Sequence, residues 1–222
     1  MKKILIFLIS IVVVVGIVCY QRQLLAVSNV TEIVKDTIES IDKPDKTINH
    51  LRKKSVEAKA YCHSKGFSEE YCVLVNFHIH SGKNRFFVWD FARDTVLYVS
   101  LCAHGSGLGS TASKPEYSNV EGSYCSSLGR YKIGVSSYSQ YGINIHYKLH
   151  GQDATNNNAF KRIVVLHSYG PVPEREIYPV HLPLGYSLGC PVISDGIMRK
   201  MDALLKKSEK SVMLWIYDES LD

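Results

Sequence analysis

The run CVLVNFHIHSGKNRFFVWDFARDTVLYVSLC, residues 72–102, decides the fold. Val73, Val75, Phe77 and Ile79 alternate with Leu74, Asn76, His78 and His80, a period of two that predicts a strand with one buried face. Ser81-Gly82-Lys83-Asn84 turns it into a second strand, RFFVWDF, and Ala92-Arg93-Asp94 turns that into a third, TVLYVSLC. Short turns between apolar runs make an antiparallel meander. Working outward, GRYKIGV at 129–135, GINIHYKL at 142–149, KRIVVLH at 161–167 and SVMLWIY at 211–217 read as further strands. A single strong helix interrupts them: Ser194 and Asp195 cap it, Ile197, Met201, Leu204 and Leu205 form its stripe, and Lys206 and Lys207 favour its C-terminus. The expectation is a mainly β domain over 70–222, a sandwich or curled sheet with one packed helix. Two long loops, 103–128 and 168–186, are rich in Gly, Ser, Tyr and Pro.

Upstream the periodicity is helical. Val30, Ile33, Val34, Thr37, Ile38 and Ile41 fall at helix spacing until Asp42-Lys43-Pro44 breaks it. Asp45 then caps a second helix through Ile48, Leu51, Val56 and Tyr61, which Gly66 stops. Residues 27–69 read as a helical stalk or brace. Residues 4–20, ILIFLISIVVVVGIVCY, are apolar behind Lys2 and Lys3 and span roughly 25 Å as a helix. Segment 1–26 is therefore expected to be a signal anchor, because Leu24 spoils a small-x-small cleavage site ending at Ala26. Signal-peptide cleavage, or a lipoprotein acylated at Cys19, are the alternatives. Each reading puts the remainder outside the cytoplasmic membrane.

Composition limits the function. Charged residues at 21% and apolar ones at 45% of 222 exclude a disordered, collagenous or polytopic membrane chain. The net charge of +5 includes Lys2, Lys3 and Arg22; without these three of the 26 bases, 23 face 21 acids. No concentrated basic face remains for nucleic acid.

Six cysteines are present, and Cys19 lies in the apolar run. Cys62, Cys72, Cys102, Cys125 and Cys190 are an odd set, so at least one has no intrachain partner in a compartment that permits disulfides. A local Cys62–Cys72 bridge is compatible with the spacing. Cys190 precedes Pro191, which favours an extended backbone presenting the thiol at a strand end. With no N–H on Pro191, oxyanion donors must come from Leu188, Gly189 and Cys190. The helix starting near Ser194 is expected to lower the thiol pKa. His167 ends an apolar strand, and cysteine with histidine is the minimum pair for nucleophilic acyl transfer. Taken singly, Cys190 equally fits a buried thiol, and His167 a core histidine.

His167, nineteen residues, then Ser187-Leu188-Gly189-Cys190 resembles the YkuD-like L,D-transpeptidase signature. CAHGSG at 102–107, GSYCSSLGRY at 122–131 and HGQDATNNNAFKRIVVLH at 150–167 look like its murein L,D-transpeptidase catalytic domain branch. The resemblance spans about residues 70–218. It implies an extracytoplasmic cysteine enzyme acting on peptidoglycan stem tetrapeptides, with Cys190 as nucleophile, His167 as base, and the Ser168 carbonyl holding the imidazole. It also implies a loop wall carrying His104 and Gly105, a site-shaping Arg162, and substrate contacts at Ser187 and Tyr186. Leu188 stands where the broader family often has histidine and Tyr186 where this branch often has arginine, departures that bear on substrate contacts. The outcome of acyl transfer, 3-3 cross-linking or L,D-carboxypeptidase action, is left open.

The expected partners are stem peptides and, through 1–26, the membrane; no cofactor or metal is expected, and the oligomeric state is not legible. His78 and His80 with His104 or His146 give no third metal ligand at characteristic spacing. His104 to Gly109 lacks a dinucleotide fingerprint and a P-loop lysine. Two rival readings are a sortase-like transpeptidase using Arg199 and a non-catalytic wall-binding envelope module.

Overall fold

The computed structural model describes residues 46–221. The expected anchor at 4–20 and helix at 28–41 lie outside them. Among the described residues no helix is long and apolar enough to cross a membrane. Eight strands, β1 (Tyr71–Asn76), β2 (Phe86–Asp90), β3 (Thr95–Ser100), β4 (Gly129–Tyr138), β5 (Ile145–Gly151), β6 (Val165–Ser168), β7 (Val192–Ile193) and β8 (Met213–Tyr217), form one sheet. Its order is β3-β2-β1-β8-β4-β5-β6-β7. The meander β1-β2-β3 is antiparallel as expected, while β1 pairs with β8 in parallel. A single sheet, rather than a two-sheet sandwich, carries the domain.

The helices are α1 (Lys46–Lys65) and α2 (Asp195–Lys207), two where the sequence suggests one packed against the sheet. They explain the burial of β1. Val73 and Val75 belong to a cluster with Val88, Leu214 and Ile216 that also takes Met198 and Met201 of α2. Cys72 and Leu74 belong to another, with Phe87, Trp89 and Met213, that takes Leu51, Ala58 and Cys62 of α1. β1 is thus covered on both faces, not one, and its apolar run is nearly continuous for that reason.

From Thr47 onward, the part of the expected stalk or brace that lies in α1 packs into the sheet domain's core. Its buried stripe is Leu51, Lys54, Ser55, Ala58 and Cys62; Val56, expected on that stripe, is exposed. Lys54 is accommodated by a 2.6 Å ion pair to Glu219 and by lying 4.3 Å from the Trp215 ring centroid. Gly66, at φ +67°, ends α1 in the left-handed conformation that terminates many helices. Cys62, Cys72, Cys102, Cys125 and Cys190 are all free thiols, so the compatible Cys62–Cys72 bridge is not formed.

Candidate active site

β6 and β7 run in parallel, with His167 opposite Val192. This pairing brings the end of one strand beside the turn preceding the other. Between them and the tips of β4 and β5 lies a cleft of about 640 Å³, lined by Tyr141, His146, His167, Tyr169, Tyr186 and Cys190 among others.

The turn carrying the thiol is held from within. Ser187 Oγ donates to the Cys190 carbonyl at 2.6 Å and accepts the Gly189 N–H at 3.0 Å. Gly189 has φ +113°, and a Cβ there would lie 2.8 Å from the Cys125 carbonyl oxygen, so both backbone and packing demand glycine. The expected oxyanion role of the Gly189 amide meets a competitor in this bond. Among the described residues the Cys190 N–H has no such partner. Leu188 is 63% exposed at the cleft mouth.

Cys190 Sγ accepts the Val165 N–H at 3.4 Å and lies 3.9 Å from the Ile163 carbonyl oxygen. Ile163, a β-branched residue, has φ +57°, a strained conformation of the kind that collects at functional sites. Burial pushes the thiol pKa up, only partly opposed by the Val165 N–H and the Arg162 charge. The expectation of a helix-depressed thiol fails. Strand β7 intervenes before α2, and the helix N-terminus is satisfied by Glu174, which accepts from Ser194 Oγ at 2.8 Å and Gly196 N at 2.7 Å.

His167 is buried, and its Nδ1 lies 3.0 Å from the Ser168 carbonyl oxygen. A carbonyl accepts only, so Nδ1 carries the proton and Nε2 is the free base. Burial also lowers the ring's pKa, more than that bond raises it. The imidazole is neutral near pH 7 and able to take a proton. Thiol and imidazole line the same cleft without bonding to each other.

Arg162 spends its fork on the 103–128 loop, donating to Ser118 O at 2.9 Å, Cys125 O at 2.6 Å and Ser123 Oγ at 3.3 Å, and to Ser127 Oγ. Its guanidinium is therefore held by the loop that backs Gly189. His104 is not among the cleft-lining residues. It is buried, with Nδ1 accepting from Arg85 at 2.8 Å and Nε2 donating to the Thr111 carbonyl at 2.8 Å. Gly105, also expected at the wall, donates to Ser126 Oγ at 3.0 Å and packs so closely that a Cβ would lie 2.4 Å from Tyr124 O. Gly107 packs as closely, since a Cβ there would meet the Ser123 carbonyl. Tyr186 does line the cleft, edge-on to Tyr169 at 5.3 Å. Arg199 sits exposed on α2 beside a different groove, with Tyr71 and Tyr98. Arg199 is thereby removed from the sortase-like reading, while Arg162 is the arginine whose charge reaches Cys190. His78 pairs with Asp218 at 2.9 Å and His80 stacks on His181 at 3.6 Å between centroids.

Sequence reasoning missed Tyr141, Tyr169 and His146. Tyr141 lies 5.7 Å from the His167 ring and 6.0 Å from Tyr169, extending an aromatic wall to Tyr186. His146 is the direct cross-strand partner of His167.

A family model described as the L,D-transpeptidase catalytic domain, YkuD_2, matches residues 43–217. The chain belongs to that family. Solved structures that resemble it include three from different bacteria. The helical cell shape determining protein Pgp2 of Campylobacter jejuni is 14% identical over 68% of this chain and 48% of its own, with a TM-score of 0.43. Bd1075 of Bdellovibrio bacteriovorus is 15% identical over 70% and 50%, at 0.41. The L,D-transpeptidase of Xylanimonas cellulosilytica is 11% identical over 71% and 68%, at 0.37. This chain spans about half the length of the first two. No curated protein matches. Membership makes residues 43–217 an L,D-transpeptidase catalytic domain.

Proposed function

We propose that the domain transfers acyl groups from peptidoglycan stem tetrapeptides through a thioester on Cys190. The observation that carries this reading is the pairing, in one cleft, of Cys190 with a His167 whose Nδ1 proton is pinned by Ser168, leaving Nε2 as base. Nε2 takes the Sγ proton as Sγ bonds to the carbonyl carbon of the third residue. The resulting oxyanion is met by the Cys190 N–H. Collapse breaks the bond to the terminal D-alanine nitrogen, which leaves with the proton from His167. An acceptor amine, or water, repeats the steps in reverse and frees the thiol. An amine yields a 3-3 cross-link and water a carboxypeptidase product. Substrate of this kind places the domain outside the cytoplasmic membrane, with residues 1–26 as its anchor.

The test is intact-mass spectrometry of the purified domain with a tetrapeptide donor. The expected adduct equals the donor less D-alanine, is absent from Cys190→Ala, and forms on the order of a hundred- to ten-thousandfold more slowly in His167→Ala. An undiminished adduct on Cys190→Ala overturns the reading.

A further inference from the structure

The donor described above leaves as a D-alanine whose amine departs at His167. Its carboxylate is only two bonds beyond that nitrogen. A group that recognises it must therefore sit within a few ångströms of the imidazole. The cleft lining contains no Lys, Arg, Asp or Glu. Arg162, near Cys190, has its guanidinium committed to four acceptors of the 103–128 loop. The groups in the lining that can become cationic are His167 and His146. His167 has to stay neutral to serve as base.

His146 lies directly opposite His167 on β5. Opposed residues of an antiparallel pair project from the same face with Cβ atoms about 4.5–5.5 Å apart, close enough for the two rings to meet neighbouring groups of one bound residue. His146 is half-buried, so a contact made there is partly shielded from water. Resting on the acyl-transfer reading, we infer that His146 is the donor-specificity residue, binding the carboxylate of the terminal residue while His167 handles its amine.

The Tyr138 backbone beside the ring favours its protonated form. Burial and the charge of Lys148 on the same strand outweigh this and hold its pKa below the usual value. His167 faces it from β6 and Tyr138 from β4. With its pKa held below the usual value, the free ring is neutral near pH 7, and an ion pair with a carboxylate needs the imidazolium. Binding a carboxylate then takes up one proton, and preference for an acidic donor terminus weakens as pH rises.

The experiment compares kcat/KM for a tetrapeptide ending in D-alanine with that for the same peptide ending in D-alaninamide. Wild type is expected to favour the acid by about ten- to a hundredfold, the range of a hydrogen bond to a charged partner. His146→Gln should erase that preference, His146→Lys should restore it, and Lys148→Gln should leave it in place. A wild type indifferent to the terminus, a preference kept by His146→Gln, or one lost instead in Lys148→Gln overturns the inference while acyl transfer stands. If wild type forms no acyl-enzyme with either peptide, the acyl-transfer reading itself fails and this inference with it.

Discussion

The Arg162 guanidinium donates to the Cys125 carbonyl at 2.6 Å, and a Cβ at Gly189 would press on that same carbonyl oxygen at 2.8 Å. One cation thus ties the lead-in to β6, the long loop and the nucleophile turn. Arg162→Lys offers one ammonium in place of a planar fork and cannot reach all four acceptors. Arg162→Lys is expected to lose about 1–3 kcal/mol, the cost of stranding a buried acceptor, in urea denaturation. Arg162→Met should in addition raise the thiol pKa, because the charge that favours the thiolate is gone. An alkylation profile unchanged by Arg162→Met would refute the electrostatic half of this account.

Burial raises the Cys190 thiol and lowers His167, so the resting pair is neutral rather than a preformed thiolate–imidazolium. Iodoacetamide modification of Cys190 is expected to rise with a midpoint above the ordinary thiol value of about 8.5. Acylation by donor should instead rise with pH as His167 loses its proton, below the usual histidine range, and stay level through neutrality. A modification midpoint near pH 7 would show a thiolate stabilised by some interaction this geometry lacks.

His104 gives a stability prediction. Burial, then the Arg85 charge, pushes its pKa down to about 4 from an ordinary 6.5. The unfolded chain binds this proton more readily than the folded one, so stability is complete above pH 6.5 and falls as pH drops toward 4. The loss from this group alone is on the order of 3 kcal/mol. His104→Gln should flatten that part of the pH–stability curve in chemical denaturation. It should leave the Cys190 alkylation rate near normal, since His104 stands outside the cleft; a His104→Gln protein with an unreactive thiol would return this residue to the site.

The sequence shows the strands wherever apolar runs bounded by turn residues are long enough, as from Val73 or from Phe86. It misleads where an element's surroundings set its burial. His78 and His80 suggest a polar face for β1, but the strand ends at Asn76 and the apolar Cys72 and Leu74 meet α1. β7, only Val192–Ile193, is too short for any periodicity, yet its pairing with β6, His167 opposite Val192, brings the Cys190 turn and His167 to one cleft. Those two residues are legible from their local sequence. His146 is not, because its place opposite His167 depends on β5 register, and β5 pairs with β4 across an irregularity between Ile133 and Ser136. Glu174 as the cap of α2 is invisible for a similar reason: it reaches the helix from a loop twenty residues away from Ser194.

The packing of α1 separates a stalk from an integral element. Leu51 is fully buried among sheet residues, whereas Val56, one turn on, is 67% exposed. Removing the Leu51 side chain loses its transfer energy and leaves a cavity against the β1 face, together about 2–5 kcal/mol. Val56→Ala gives up almost no burial and gains slightly in helix propensity, so its effect should lie within about 0.5 kcal/mol. Urea unfolding followed by fluorescence of Trp89 and Trp215, which lie in or against the same cluster as Leu51, measures both. A single transition, shifted strongly by Leu51→Ala and hardly by Val56→Ala, is the expected result. Equal, small shifts would mean that α1 detaches from the sheet in solution, and that the domain's stability resides in the strands and α2.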